Sequence, residues 1–244
     1  MNSTPTELRA REFFLPGPGH YGVALILLVT SMFLVMAFPS GTALDAVALI
    51  IQMFALIACL RAAETSPKLI RVFEILAVLA IIAGLSPALW GAGIEKDLIR
   101  AATFLLVFTA LPSIAIGLLR QLKRDQEVTI RTVFGALGIY MLLIIAFASA
   151  FGIIGVIEAG PVFEQGLSRD DYGSFVYYSV TTITTLGIGD LTPATDLGRS
   201  LTGVLTLFGQ IYLVTVVALI VGNLGRRARE RHDGPKKKKD EAGE

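Results

Sequence analysis

Long stretches without a charged residue divide this chain, and they constrain its fold more than any other feature. Six such runs can be read directly, at 13–44, 46–60, 75–94, 101–119, 132–157 and 200–225. A helix needs about 20 mostly apolar residues to cross a bilayer. The run at 46–60 reaches that length only with its neighbours, and a buried or tilted helix is the alternative there. The pattern predicts an all-α membrane protein with six transmembrane helices.

Composition excludes several other classes of protein. The 244 residues are 54% hydrophobic and 17% charged, which is too apolar for a disordered chain and too poorly charged for a typical soluble domain. A net charge of +1 argues against a nucleic-acid partner. The single cysteine, Cys59, excludes an internal disulfide, and His20 and His232 are too far apart in sequence to suggest a metal site. The sequence carries no recognisable catalytic set, so we expect neither an enzyme nor a cofactor.

Basic residues lie mainly on one side of the predicted helices. They fill the segments after the second, fourth and sixth runs, whereas the opposite side carries only Lys96, Arg100, Arg169 and Arg199. Cytoplasmic loops are the basic ones in multi-pass membrane proteins. Both termini are therefore predicted to be cytoplasmic. Termini on the same side of the membrane require an even number of spans, and six satisfies this.

One apolar segment, 174–183, is too short to cross the membrane and is predicted to enter and return on the same side. The heptapeptide 184–190 follows it. Irregular backbone at membrane depth is tolerated only where it is buried in protein or lines an aqueous path. Because Gly187 and Gly189 can adopt backbone angles that other residues avoid, successive carbonyls can face one axis. Four copies would then stack rings of oxygens that replace the hydration shell of a cation.

The sequence Thr-Leu-Gly-Ile-Gly-Asp at 185–190 resembles the filter signature of the potassium channel family, usually written T-V-G-Y-G-D. The resemblance covers roughly 132–224, with an outer helix, a pore helix, a filter and an inner helix in order. It implies a homotetramer that coordinates K+ at Thr185, Leu186, Gly187, Ile188 and Gly189, with Asp190 at the outer mouth. It further implies support of the filter by Tyr177, Tyr178, Thr181 and Thr184.

Three positions depart from the family pattern, and the first is Leu186, where the family has a valine. Ile188 stands where the family has a tyrosine, and we expect it to pack against the Tyr177–Tyr178 pair instead of forming a hydrogen bond. Thr181 stands where some members carry a glutamate, so a carboxylate link to Asp190 is expected to be absent. A weakly selective or non-selective cation channel is therefore kept as the alternative function.

The last apolar run is predicted to be the inner helix, from about Gly198 to Leu224. Gly209 falls where the family has a hinge glycine, and a close-packing site is the alternative. Helical spacing predicts a cavity face through Gln210, Val214, Val217 and Val221. Val217 and Val221 are candidates for a hydrophobic gate, with ordinary packing as the alternative.

The first four helices, 21–119, resemble the sensor bundle of voltage-gated channels in number and order. A sensor needs several arginines in its fourth helix, because each charge contributes only about 2.3 kcal/mol per 100 mV. Here no basic residue lies between Arg100 and Arg120. The bundle is therefore predicted not to sense voltage.

Three further segments complete the predicted organisation. Residues 1–20 are a cytoplasmic N-terminal segment, and 120–131 is a charged cytoplasmic linker to the pore domain at 132–224. The basic tail at 225–244 is expected to lose regular structure after one helical turn. Its four lysines could attract anionic lipid: Lys236, Lys237, Lys238 and Lys239.

The sequence thus predicts a potassium-selective channel of the cell membrane that conducts K+ passively, with K+ as its permeant ion and itself and membrane lipids as its partners. A secondary transporter is less favoured, because such proteins often carry internal repeats with paired broken helices and only one re-entrant segment is visible here. A membrane-embedded signalling or structural protein with a non-conducting pore is a further alternative.

Overall fold

A computed structural model describes residues 21–38, 43–90, 96–125, 130–158, 160–167 and 171–240. These ranges form helices and connecting loops, with one isolated antiparallel bridge between Phe163 and Pro193 and no extended strand. The helices, in chain order, are α1 Tyr21–Ala37, α2 Ala43–Ala62, α3 Pro67–Trp90, α4 Lys96–Asp125, α5 Ile130–Ile157, α6 Tyr172–Ile183 and α7 Asp196–Asp240. Six of them correspond to the six apolar runs, and α6 is the short segment predicted to re-enter.

Within the described residues, three helices are long and apolar enough to cross a bilayer, in α4 (Ala101–Arg124), α5 (Thr132–Ile157) and α7 (Asp196–Leu219). The apolar helices Tyr21–Ala37 and Ala46–Ala62 are shorter. At a rise of 1.5 Å per residue, a helix of such a length covers about 25 Å of a hydrocarbon core about 30 Å thick. The all-α membrane architecture is confirmed, whereas the number of six spans stays a prediction.

The centre of the molecule is α5, which contacts α1, α4, α6 and α7. Its side chains at Leu142, Ile144, Ile145 and Phe151 are fully buried. The first four helices and the predicted pore domain therefore share one continuous core, because α1 packs against both α5 and α6.

A glycine fixes the contact between α1 and α6. A Cβ at Gly173, in the first turn of α6, would lie 2.5 Å from the carbonyl oxygen of Val35 in α1. Real Cβ atoms essentially never approach an oxygen so closely, so only glycine lets the two backbones touch here. The N-terminal end of the predicted pore helix is thus held directly by the first helix.

Two helices are longer than the sequence predicts. α4 continues through Asp125, so the first residues of the predicted linker are helical. α7 continues through Asp240, which contradicts the expected loss of regular structure after Leu224. Arginine, lysine and glutamate are straight-chain residues with good helix propensity, and a polar segment rich in them can prolong an apolar helix. Segment 1–20 lies outside the described residues, as do the side chains of Lys236–Lys239.

Candidate functional site

The predicted pore helix α6 begins at a well-formed cap. Asp171 Oδ1 accepts a hydrogen bond from the backbone N–H of Ser174 at 3.3 Å, and Oδ2 accepts one from the Ser174 hydroxyl at 2.6 Å. Such a side chain satisfies a backbone donor that has no partner within the helix. The cap fixes the residue at which α6 starts. The length of the helix then fixes the position of its last residue, Ile183, from which the predicted filter continues.

An aromatic cluster holds α6 in place. The ring of Tyr178 lies 4.9 Å from that of Phe163 in the outer loop and 5.1 Å from that of Phe151 in α5, and Phe163 also meets Phe175 at 5.7 Å. The Tyr178 hydroxyl shares a 2.9 Å hydrogen bond with Thr202 in α7. The structure thus places Tyr178 behind the predicted filter, among groups from α5, α6, α7 and the outer loop.

The chain reverses direction at the end of α6. The Thr184 hydroxyl donates to the carbonyl of Val180 at 2.7 Å, and the N–H of Gly187 donates to the carbonyl of Thr181 at 3.0 Å. The carbonyl of Ile183, the last residue of α6, accepts a 3.1 Å hydrogen bond from the buried Tyr140 hydroxyl of α5. The start of the predicted filter is therefore fixed from two sides.

Left-handed backbone occurs at every second residue of the predicted filter. The φ angles are +59° at Thr185, +51° at Gly187 and +83° at Gly189. Glycine adopts such angles freely, whereas a non-glycine residue such as Thr185 pays a cost of order 1–3 kcal/mol. The side chains between them, Leu186 and Ile188, are 66% and 58% exposed in the single chain. The packing expected for Ile188 against the tyrosine pair is therefore not completed within one chain.

Asp190 is held by the other tyrosine of the pair. The Tyr177 hydroxyl donates to Asp190 Oδ2 at 2.8 Å, and the N–H of Leu191 donates to Asp190 Oδ1 at 3.1 Å. The hydrogen bond to Asp190 raises the pKa of the Tyr177 phenol above its usual value. Thr181 donates to the carbonyl of Tyr178 at 3.1 Å. The hydrogen bond to Asp190 therefore comes from the phenol of Tyr177 and not from Thr181, which lies four residues later.

The outer loop and the segment after the filter are paired by backbone. The N–H of Glu164 donates to the carbonyl of Thr192, and the N–H of Ala194 donates to the carbonyl of Val162, each at 2.9 Å. Arg199 at the start of α7 forms a 3.2 Å ion pair with Glu164. An exposed pair of this kind contributes about 0–1 kcal/mol, so the backbone pairing is the main restraint on the outer mouth.

The inner helix α7 meets the end of α6 at Gly209. A Cβ on Gly209 would lie 2.5 Å from Ile183 Cγ1 and 2.7 Å from the Ile183 carbonyl oxygen. Gly209 therefore packs closely against the end of α6, and its role as a hinge stays a prediction. One turn away, Tyr212 donates to the carbonyl of Ala136 and stacks on Tyr140 at 5.7 Å. The sequence gives no signal for Tyr140, because a tyrosine in an apolar helix is not distinguishable from ordinary packing.

The predicted gate residues lie apart from this cluster. Val217 is 50% exposed and is not part of the chain's buried core. The side chain of Val221 lies outside the described ones. Among the described residues, no group of three His, Cys, Asp or Glu side chains could hold a metal ion. The oxygen atoms of the described site belong to backbone carbonyls, to the hydroxyls of Thr184 and Thr185, and to the carboxylate of Asp190.

Comparison with known proteins identifies the same part of the chain. Residues 139–226 match the family model described as "Ion channel". A stretch of 100 residues is 31% identical to "Potassium channel K1" of Plasmodium berghei (strain Anka). The matched stretch is 41% of this chain and 5% of that relative. This chain thus matches only a small part of that much longer protein.

The matched segment contains α6, the filter residues and most of α5 and α7, and it is similar to an ion-channel domain. Together the two matches support the resemblance to the potassium channel family. Channels of this family are typically oligomeric and embedded in a membrane, and they are not enzymes, in line with the expectation of no catalytic activity.

Proposed function

We propose that four copies of this chain form a potassium-selective channel that conducts K+ passively. The observation that carries the proposal is the alternation of left-handed residues at Thr185, Gly187 and Gly189 immediately after the pore helix. In an ordinary strand successive residues alternate between opposite faces. Reversing the handedness of every second residue lets consecutive carbonyls face the same side, and a dehydrated cation requires such a column of oxygens.

The pore of this proposed channel needs several copies, because one chain supplies one strand of oxygens. The exposed side chains of Leu186 and Ile188 support the same assembly, since these apolar groups flank the filter and have no cover within the chain. Neighbouring copies would bury them and hold the strand at its position. Asp190, fixed by Tyr177, would then form a ring that raises the concentration of cations at the outer mouth.

The second candidate function is a cation channel with weak selectivity. It is favoured by one specific feature, the isoleucine at 188, whose side chain offers no hydrogen bond to stiffen the filter from behind. The bond from Tyr177 to Asp190 supplies stiffness at the outer end of the same strand, and this supports the selective form as the leading proposal.

In the proposed topology six helices cross the cell membrane and both termini are cytoplasmic, in accord with the positions of the basic residues. The pore domain is 132–224, preceded by a sensor-like bundle at 21–119 and followed by the basic segment with Lys236–Lys239, which would attract anionic lipid. Arg100 and Arg120 bracket an uncharged stretch of α4, so opening should depend only weakly on voltage. Gly209, Val217 and Val221 are the proposed elements of the inner gate.

A flux assay with a matched pair of glycine variants tests the function. Gly187 has a φ of +51° and Gly166, in the outer loop, one of +67°, and neither has a neighbour within 4 Å of an added Cβ. Alanine at either site carries a similar conformational cost, of order 1 kcal/mol. Only Gly187 lies in the proposed filter.

Full-length protein in liposomes should take up K+ and Rb+ far faster than Na+. We expect Gly187→Ala to abolish the uptake or the selectivity, and Gly166→Ala to leave both unchanged. Equal uptake of Na+ and K+ by the wild type would establish the weakly selective alternative. Uptake that saturates and is coupled to another solute gradient would instead indicate a transporter.

A further inference from the structure

Helix α3 presents two opposite faces of different character. Its buried side chains, Phe73, Ala77 and Ala80, pack into the core. The residues Lys68, Arg71, Ile75, Val78 and Ile82 are all exposed and recur every three or four positions. Such spacing aligns side chains along one side of a helix. We call these five residues the α3 stripe.

The α3 stripe is basic at one end and apolar along the rest. Ile75, Val78 and Ile82 are 61%, 52% and 49% exposed. With a rise of 1.5 Å per residue they extend over about 10 Å, within the roughly 15 Å that one leaflet contributes to the hydrocarbon core. Lys68 and Arg71 lie one to two turns beyond them, where long side chains can carry their charge to the headgroup level.

Nearby acidic residues do not neutralise this end of the stripe. Glu74 is paired with Arg61 at 2.6 Å, and Glu64 is paired with Arg124 at 3.0 Å. Within the described part of the chain, neither Lys68 nor Arg71 has an ion-pair partner. Two cations at the end of an uncovered apolar face complement a molecule that has an anionic headgroup followed by an acyl chain.

We propose that the α3 stripe binds an anionic phospholipid, whose phosphate contacts Lys68 and Arg71 and whose acyl chain lies along Ile75, Val78 and Ile82. Lipid fits better than a second copy of this chain. A second copy would have to bring carboxylates to Lys68 and Arg71, and the described carboxylates at this end, Glu64 and Glu74, are already paired. The site is separate from the filter, so it does not depend on which ion the protein conducts.

Native mass spectrometry of the full chain in dodecyl maltoside tests the site. Dioleoylphosphatidylglycerol and dioleoylphosphatidylcholine are added separately at equal concentration, and the apparent dissociation constant of the retained lipid is measured. The wild type should retain phosphatidylglycerol in preference to phosphatidylcholine. Lys68→Gln together with Arg71→Gln should weaken that retention about 30-fold, at about 1 kcal/mol per basic residue.

Two further variants separate this site from general surface charge. Arg120→Gln with Lys123→Gln removes the same charge from two exposed residues at the end of α4, outside the stripe, and should have a much smaller effect. Ile75→Gln leaves the charge unchanged and should also weaken retention, because the side chain is exposed in the chain and contacts only the lipid. Folding of each variant is checked by its thermal unfolding midpoint.

Equal losses in the two charge variants would overturn the proposal, as would equal retention of the two lipids. Addition of glycerol phosphate, the soluble headgroup, separates the lipid from a free anion. If it displaced phosphatidylglycerol completely at equal concentration, the site would bind an anion without the acyl chain, and the proposal would fail. Unchanged retention in Ile75→Gln would overturn the apolar part of the site.

Discussion

Helices α5 and α7 are both long and apolar enough to cross a bilayer, yet their surroundings in the chain differ sharply. In the most apolar stretch of α5, 61% of residues are buried, against 11% in that of α7. α5 contacts its neighbours on several sides, whereas α7 contacts α5 and α6 along one side only. Composition alone does not reveal this difference.

The uncovered surface of α7 shows where the chain is incomplete by itself. One side of α7 is anchored by the contact of Gly209 with Ile183 and by the stacking of Tyr212 on Tyr140 of α5. The opposite side exposes Leu207, at 64%, and Ile211, at 66%. Lipid, neighbouring copies or a water-filled cavity could each cover a given part of this surface. Substitutions on different sides of α7 distinguish these environments.

The largest effect is expected from Ile211→Trp. Ile211 lies about 200° around the helix from Gly209, at 100° per residue. If neighbouring copies pack there, the larger ring has no room, and overpacking costs about 1–3 kcal/mol in every copy. We expect the proposed tetramer to dissociate, as measured by size-exclusion chromatography with light scattering.

Val78→Trp on α3 is the matched control for that substitution. Val78 is also an exposed β-branched residue of an apolar helix, but it belongs to the side that we assign to lipid. Tryptophan should be tolerated there without loss of assembly. An intact tetramer in Ile211→Trp would show that this side of α7 faces lipid or water.

The next effect concerns the anchored side of α7. Gly209→Ala places a methyl group 2.5 Å from Ile183 Cγ1, so either the inner helix or the end of the pore helix must shift. We expect destabilisation by about 1–3 kcal/mol, seen as a lower thermal unfolding midpoint, together with a lower open probability. Gly203→Ala, on the same helix with nothing within 4 Å of the added atom, should leave the midpoint unchanged or raise it slightly.

The hinge and close-packing interpretations of Gly209 differ in this experiment. A pure hinge would lose open probability without losing stability, because alanine is the better helix former. A midpoint equal to that of the wild type would therefore argue against the packing interpretation.

The backbone of the proposed filter could be anticipated because its requirements are local. Residues 184–190 follow each other in sequence, and the requirement for left-handed backbone is visible in the glycines themselves. The predicted short helix before them is α6. In the predicted aromatic pair, Tyr178 is buried in the cluster and Tyr177 donates a hydrogen bond to Asp190, whereas their support of the filter stays a prediction.

The contacts that join distant segments could not be predicted. Tyr140 is 43 residues from Ile183, and nothing in its own neighbourhood indicates that its hydroxyl meets the end of the pore helix. The backbone pairing of Glu164 with Thr192 could not be predicted either, because the sequence of an acidic loop does not indicate which residue of another segment it pairs with. The sequence predicts too early an end for α7, because the change from apolar to basic residues is typical of a helix end, although arginine, lysine and glutamate are good helix formers. Residue propensity does not explain why the helix continues through Gly234 and Pro235.

The smallest effect on stability, and the most specific one on conduction, is expected from Gln210→Leu. Gln210 is exposed on α7 next to Gly209, and therefore close to the level of the Ile183 carbonyl just below the predicted filter. An amide is costly in lipid but favourable beside a hydrated cation. In the proposed cavity its loss should lower single-channel conductance by about two- to threefold at an unchanged unfolding midpoint. Thr215→Val, about 140° further around α7, serves as the control. A higher midpoint with unchanged conductance would place Gln210 against lipid, and a dissociated tetramer would place it between subunits.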